Sequence, residues 1–106
     1  MKEKRVAIYC RVANPSQYEL DAQTEELRLY AKNLGYKIIA EMSETGSGLT
    51  LDRPALSEVT EIARQGKVDA VLVKDISRIG RGYGLTEEFI RTLDAYNVSL
   101  ICIKTP

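Results

Sequence analysis

The chain contains no histidine and no tryptophan, only two cysteines, and no surplus of charge of either sign. With no imidazole, and with Cys10 and Cys102 far apart, it offers no transition-metal cluster, so metal-free chemistry without a cofactor is expected unless carboxylates alone hold an ion. Fifteen basic residues balance fifteen acidic ones, so bulk charge does not announce nucleic acid in the way a duplex-binding domain's cationic excess does. No apolar run approaches the roughly 20 residues that cross a bilayer, so no membrane partner is expected. Two thiols in apolar, strand-like runs, with no leader-like start, fit a reduced cytoplasmic setting and no disulfide.

What is present is a regular alternation. Val6 to Val12 is a β-branched, near-continuous apolar run, as expected of a central strand covered on both faces. Pro15 and Ser16 open a helix, with Ser16 and Glu19 at capping-box spacing. Leu20, Leu27, Tyr30, Ala31 and Leu34 give that helix its apolar face, and Gly35 ends it. Tyr36 to Met42 reads as a second strand, followed by a glycine-punctuated loop from Ser43 to Gly48 with no hydrophobic period. A second helix starts at Pro54, carries Leu56, Val59, Ile62 and Ala63 inward, and stops at Gly66. Ala70 to Val73 is a third strand. Leu85, Phe89, Ile90, Leu93 and Tyr96 mark a third helix, Asn97 is its left-handed cap, and Leu100 to Ile103 is a fourth strand. This β-α-β-α-β-α-β order in 106 residues predicts one α/β domain over 1–106. It should be a three-layer α-β-α body with a four-stranded, mostly parallel sheet in the order 2-1-3-4.

In such a sheet, ligands bind beyond the carboxyl ends of the strands. Arg11 ends the first strand, the glycine loop after the second leads to Arg53, and Arg78 and Arg81 follow the third, so four guanidinium groups are expected along one edge. Their planar, permanently charged forks match phosphate oxygens and stabilise charge gathering on phosphorus during displacement. The plainer alternative is that these arginines form surface ion pairs with Asp52, Asp75 or Glu44. A dinucleotide loop is excluded because Arg11-Val12-Ala13-Asn14-Pro15 has no glycine where that fingerprint belongs.

Tyr9-Cys10-Arg11-Val12-Ala13, Thr45-Gly46-Ser47-Gly48, Leu51-Asp52-Arg53-Pro54 and Ser77-Arg78-Ile79-Gly80-Arg81 together resemble the motifs of the serine recombinases, the resolvase/invertase family. The resemblance runs from Arg5 through Lys104. It implies the catalytic domain of a site-specific DNA recombinase that cleaves, exchanges and religates DNA through a phosphoserine intermediate, as in inversion, excision or integration by mobile elements. Arg11, Arg53, Arg78 and Arg81 would contact the scissile phosphate, with Gln23 and Gln17 assisting orientation. The family's nucleophilic serine falls at Ala13, and an alanine methyl cannot attack phosphorus. Ser77 stands where many smaller members have aspartate, and Gly82 where a polar residue is common.

Two replacements for the missing hydroxyl suggest themselves. Ser16 is better explained as a helix cap, and Ser77 lacks a base that the sequence identifies. The resemblance further implies DNA as partner and a dimer or tetramer in full-length members. The dimerisation helix and DNA-binding part are expected to be absent from this chain, leaving the isolated domain monomeric and weak on DNA. A different class of reading, a catalytically dead binding or regulatory module on the same fold, stays open beside it. A phosphoacceptor receiver domain would need an acidic cluster where this chain has arginines.

Overall fold

A computed structural model describes residues 3–81 and 84–104; Gly82 lies outside the described residues. The elements are β1 (Arg5–Val12), α1 (Gln17–Asn33), β2 (Lys37–Thr45), α2 (Pro54–Arg64), β3 (Ala70–Val73), α3 (Leu85–Ala95) and β4 (Ser99–Cys102), with a short 3-10 turn at Ile76–Arg78. All strand pairs are parallel and the sheet order is β2-β1-β3-β4. This is the three-layer α/β/α body that the alternation predicts.

Strand periodicity divides the core. Alternate residues of β1, Ala7 and Tyr9, join Leu56, Val59 and Ala63 of α2 and Phe89 and Leu93 of α3 on one face. Val6, Ile8, Cys10 and Val12 pack with Leu20, Leu27 and Ala31 of α1 on the other. Arg11 continues the row of Ala7 and Tyr9, and is only 1% exposed.

Local chemistry sets the boundaries. Ser16 caps α1, its side chain accepting from Glu19 N at 3.2 Å. Asn97 takes the left-handed conformation (φ 61°) that ends the α3 region, and Pro54 opens α2. Three expectations need correction. The strand expected to end at Met42 continues through Ser43, Glu44 and Thr45, because Arg11 pairs with Glu44 and Val12 with Thr45 in the ladder. Leu34, 52% exposed, and Ile90, 37% exposed, lie off their helices' buried faces. β4 begins one residue earlier than expected, at Ser99, and closes at Cys102.

The chain runs from β1 outward to β2 and then crosses back to β3 on the other side of β1. That reversal opens a crevice at the carboxyl ends of β1 and β3.

Candidate functional site: a cationic rim at the carboxyl ends of the strands

Three arginines from separate stretches interlock at this rim. Arg11 donates from Nε to the Arg78 carbonyl (3.0 Å), from Nη1 to the Gly46 carbonyl (2.6 Å) and from Nη2 to the Ser77 carbonyl (2.6 Å). Arg53 donates to the carbonyls of Ser47 (3.0 Å) and Ile79. Arg78 returns a bond from Nη1 to the Arg11 carbonyl at 3.0 Å. Gln23, buried on α1, grips the Arg11 main chain from the opposite face, its Oε1 accepting from Arg11 N (3.3 Å) and its Nε2 donating to Arg11 O (3.0 Å).

The hydrogen bonds go mostly to carbonyls. Two ion pairs of the plainer alternative are present as well, Arg53 with Glu44 and Arg78 with Asp75, leaving Arg11 and Arg81 without a carboxylate pair among the described residues. Glu44 stands 3.7 Å from Arg53 Nε, and Asp75 stands 3.7 Å from Arg78 Nε. Both Nε atoms are buried without a hydrogen bond. Carbonyl oxygens satisfy N–H donors without cancelling a formal charge, so the rim keeps a positive excess in a region of reduced dielectric. Burial is the main cause that lowers the Arg11 pKa below its ordinary value, and the neighbouring Arg53, Arg81 and Arg78 cations add to the shift.

Glu44 is a residue whose role the sequence concealed. Its carboxylate accepts from Ala55 N (2.9 Å), Leu56 N (3.2 Å) and the Tyr9 hydroxyl. It therefore caps α2 from a neighbouring strand, since Arg53 at the N-cap position supplies no side-chain cap. Burial, followed by the bond to Glu44, pushes the Tyr9 hydroxyl pKa up and keeps it a donor. The sequence signalled Glu44 only as a charge within the glycine-punctuated loop and as a candidate ion-pair partner of the arginines, the latter met by Arg53 at 3.7 Å.

Ala13 is exposed and lines an open cleft of about 320 Å3 with Arg11, Ser47, Gly48, Leu49 and Arg81. The loop fits closely there: a Cβ on Gly48 would sit 3.0 Å from Arg11 Nη2 and 3.2 Å from Arg81 Cγ. Arg81 N donates to the Gly48 carbonyl at 2.8 Å, tying the two loops together. Ser47, which the sequence reading did not single out, shares this cleft with Ala13. Ser77 donates from Oγ to Asp75 Oδ1 at 2.5 Å, so it does have a carboxylate partner; that carboxylate also caps the 3-10 turn. Gln17 is engaged along the helix surface with Asp21 (2.9 Å) and lines neither this cleft nor the one beside Gln23.

Among the described residues, no group of three or more His, Cys, Asp or Glu side chains could hold a metal ion, and no helix is long and apolar enough to cross a membrane. Another cleft, between α2 and α3, is lined by Leu51, Leu56, Ser57, Thr60, Phe89 and Thr92 and offers no ionisable side chain.

Residues 6–106 match the family described as Resolvase, N terminal domain. A protein of Acanthamoeba polyphaga mimivirus named as a resolvase is 32% identical over 103 residues, 94% of this chain and 51% of that protein. The chain thus spans about half the length of the curated relative it matches. Among solved structures, the C-terminal catalytic domain of ISC1926 TnpA, an IS607-like serine recombinase, is similar with a TM-score of 0.87 and 28% identity, over 96% of this chain and 71% of that one. A resolvase family site-specific recombinase from Streptococcus pneumoniae gives a TM-score of 0.81 and 29% identity, over 95% of this chain and 72% of that one. Motifs, strand order and sequence similarity agree, and the chain belongs to the resolvase family of serine recombinases, to which it contributes the family's N-terminal domain.

Proposed function

We propose that this chain is the catalytic domain of a site-specific DNA recombinase in a form that holds a DNA phosphate but cannot cleave beside it. One observation carries the reading: an exposed methyl group, Ala13, lines the cleft that Arg11 and Arg81 make cationic. Arg81, which lines that cleft, is the arginine we take to meet the phosphate directly, while Arg78 lines the neighbouring cleft beside Gln23. Arg11 and Arg53 supply charge from beneath while bracing the loops that carry the other two. Gln23 fixes the height of Arg11 through its main chain.

With a serine at position 13, the hydroxyl oxygen would attack phosphorus, a phosphoserine bond would form, and the opposite P–O bond to deoxyribose would break. The surrounding guanidinium groups would stabilise the extra charge on the pentacoordinate phosphorus. With alanine, binding survives and attack does not. DNA is the proposed partner, and self-association into dimers or tetramers is proposed for a longer protein; this domain alone should be monomeric and bind duplex weakly.

The test joins the Ala13 chain and an Ala13→Ser chain to the DNA-binding part of an active resolvase and offers each that enzyme's recombination site. A covalent protein–DNA adduct, with phosphoserine at position 13 by mass spectrometry, is expected from the serine form alone. An adduct from the alanine form, or none from the serine form while the active resolvase makes one, overturns the reading.

A further inference from the structure

The interlocked arginines face two openings, and the phosphate reading uses only one. The second is a cleft of about 230 Å3 between the start of α1 and the segment after β3, lined by Tyr18, Glu19, Ala22, Gln23, Lys74 and Arg78. It lies at the crevice where the strand order reverses between β1 and β3, which is where open parallel sheets take their ligands. Gln23 and Arg78 connect it to the first cleft, because both bond the main chain of Arg11.

The local chemistry pairs positive charge with an unused aromatic face. Arg78 brings a buried Nε that has no hydrogen bond. Lys74 shares one carboxylate, Glu26, with Lys104: its ammonium stands 3.9 Å from that carboxylate, whereas Lys104 stands at 3.1 Å. Opposing charges are Glu19, which lines the cleft, and Asp75, 3.7 Å from Arg78. Tyr18 is 85% exposed, so the face of its ring is open to a ligand in the cleft it lines. An aromatic face next to a lysine and an arginine is the combination that holds a nucleotide, with the base on the ring and the phosphate on the cations.

We propose that this cleft is a subsite for the nucleotide next to the phosphate held at Ala13, with Tyr18 stacking its base and Lys74 and Arg78 taking its phosphate. The inference rests on the phosphate reading of the Ala13 cleft and extends it by one residue of DNA strand. It makes Tyr18 and Lys74 binding residues, neither of which the arginine motifs include.

Amide chemical shifts of the 106-residue chain distinguish the two clefts. Ala13 and Gly48 report on one, Ala22 and Lys74 on the other. The probes are inorganic phosphate, thymidine and the 5′-phosphorylated dinucleotide pTpT. The dinucleotide is expected to move both sets and to bind more tightly than phosphate. Tyr18→Ala should weaken dinucleotide binding about tenfold while leaving the phosphate response at Ala13 and Gly48 unchanged, and Lys74→Ala should weaken the dinucleotide alone. Movement confined to Ala13 and Gly48, or a dinucleotide affinity indifferent to both substitutions, overturns the flanking subsite but spares the phosphate reading. Silence of all four amides with phosphate and with pTpT overturns both.

Discussion

Two arginines on the same strand, Arg5 and Arg11, stand at opposite ends of the sheet and have opposite surroundings. At the amino end, Arg5 meets a carboxylate: its Nε and Nη2 bond Asp69 at 3.2 and 3.0 Å, and its main-chain N adds a third bond at 2.8 Å. There the two formal charges cancel. At the carboxyl end, Arg11 meets three carbonyls, while Glu44 and Asp75 pair at 3.7 Å with Arg53 and Arg78 instead. The same residue type is closed off at one end and left electrically incomplete at the other. An incomplete charge held in place by neutral acceptors suits a ligand that brings its own negative charge.

Replacing Arg11 should have the largest effect. Arg11→Met keeps much of the volume but leaves the carbonyls of Gly46, Ser77 and Arg78 without their donor, and is expected to cost about 3 kcal/mol in urea unfolding. Arg11→Lys should recover little, since one ammonium cannot replace a fork that serves three acceptors. If Arg11→Met unfolds at the same urea concentration as the parent, the rim is not held together as described. Glu44→Gln comes next, at about 1–3 kcal/mol, because the carboxylate that caps α2 and receives the Tyr9 hydroxyl becomes an amide with one acceptor oxygen. Its check is a thermal midpoint lowered by several degrees, about 4–8 °C per kcal/mol for a chain of this size. Gly48→Ala follows at about 1–2 kcal/mol. The added methyl would press on Arg11 Nη2, which cannot retreat while held to the Ser77 carbonyl. Because the methyl would also narrow the Ala13 cleft, phosphate binding should fall along with stability.

The two ends were unequally legible in the sequence. The alternation of strands and helices and the caps at Ser16 and Asn97 follow from local pattern, and the gathering of Arg11, Arg53, Arg78 and Arg81 at one edge from the geometry of parallel sheets. The acceptors for Arg11 could not be read, because a main-chain carbonyl is the same group in every residue and only the fold decides which ones converge. The extension of β2 through Thr45 was hidden for a related reason. As an edge strand it alternates exposed and half-buried residues, and Ser43, Glu44 and Thr45 carry no apolar signal; their pairing is dictated by β1. Glu44 was visible as a loop charge that could pair with an arginine, but its bonds to Tyr9 and the start of α2 were not, since those partners are distant in sequence. Ile90 erred in the other direction: helical spacing placed it with Phe89 and Leu93, yet a helix with two buried anchors had no neighbour left to cover it.

The smallest effect belongs to the amino end, and it sharpens the comparison most cleanly. Arg5→Ala removes a paired, partly solvated side chain, and its partner can turn to water, so unfolding should shift far less than for Arg11→Met. The hydrogen bond to Asp69 is the main cause that raises the Arg5 pKa, which shows a favourable pair, but solvent screening dilutes what that pair adds to stability. Salt separates the two cases. Raising ionic strength should erase most of the difference between Arg5→Ala and the parent, because screening weakens an exposed attraction. The Arg11→Met deficit should persist, since buried carbonyls left without a donor are not rescued by mobile ions. Equal salt sensitivity at both positions would mean that Arg11 is held by ordinary surface electrostatics, and the distinction between a neutralised end and a charged, anion-seeking end would fail.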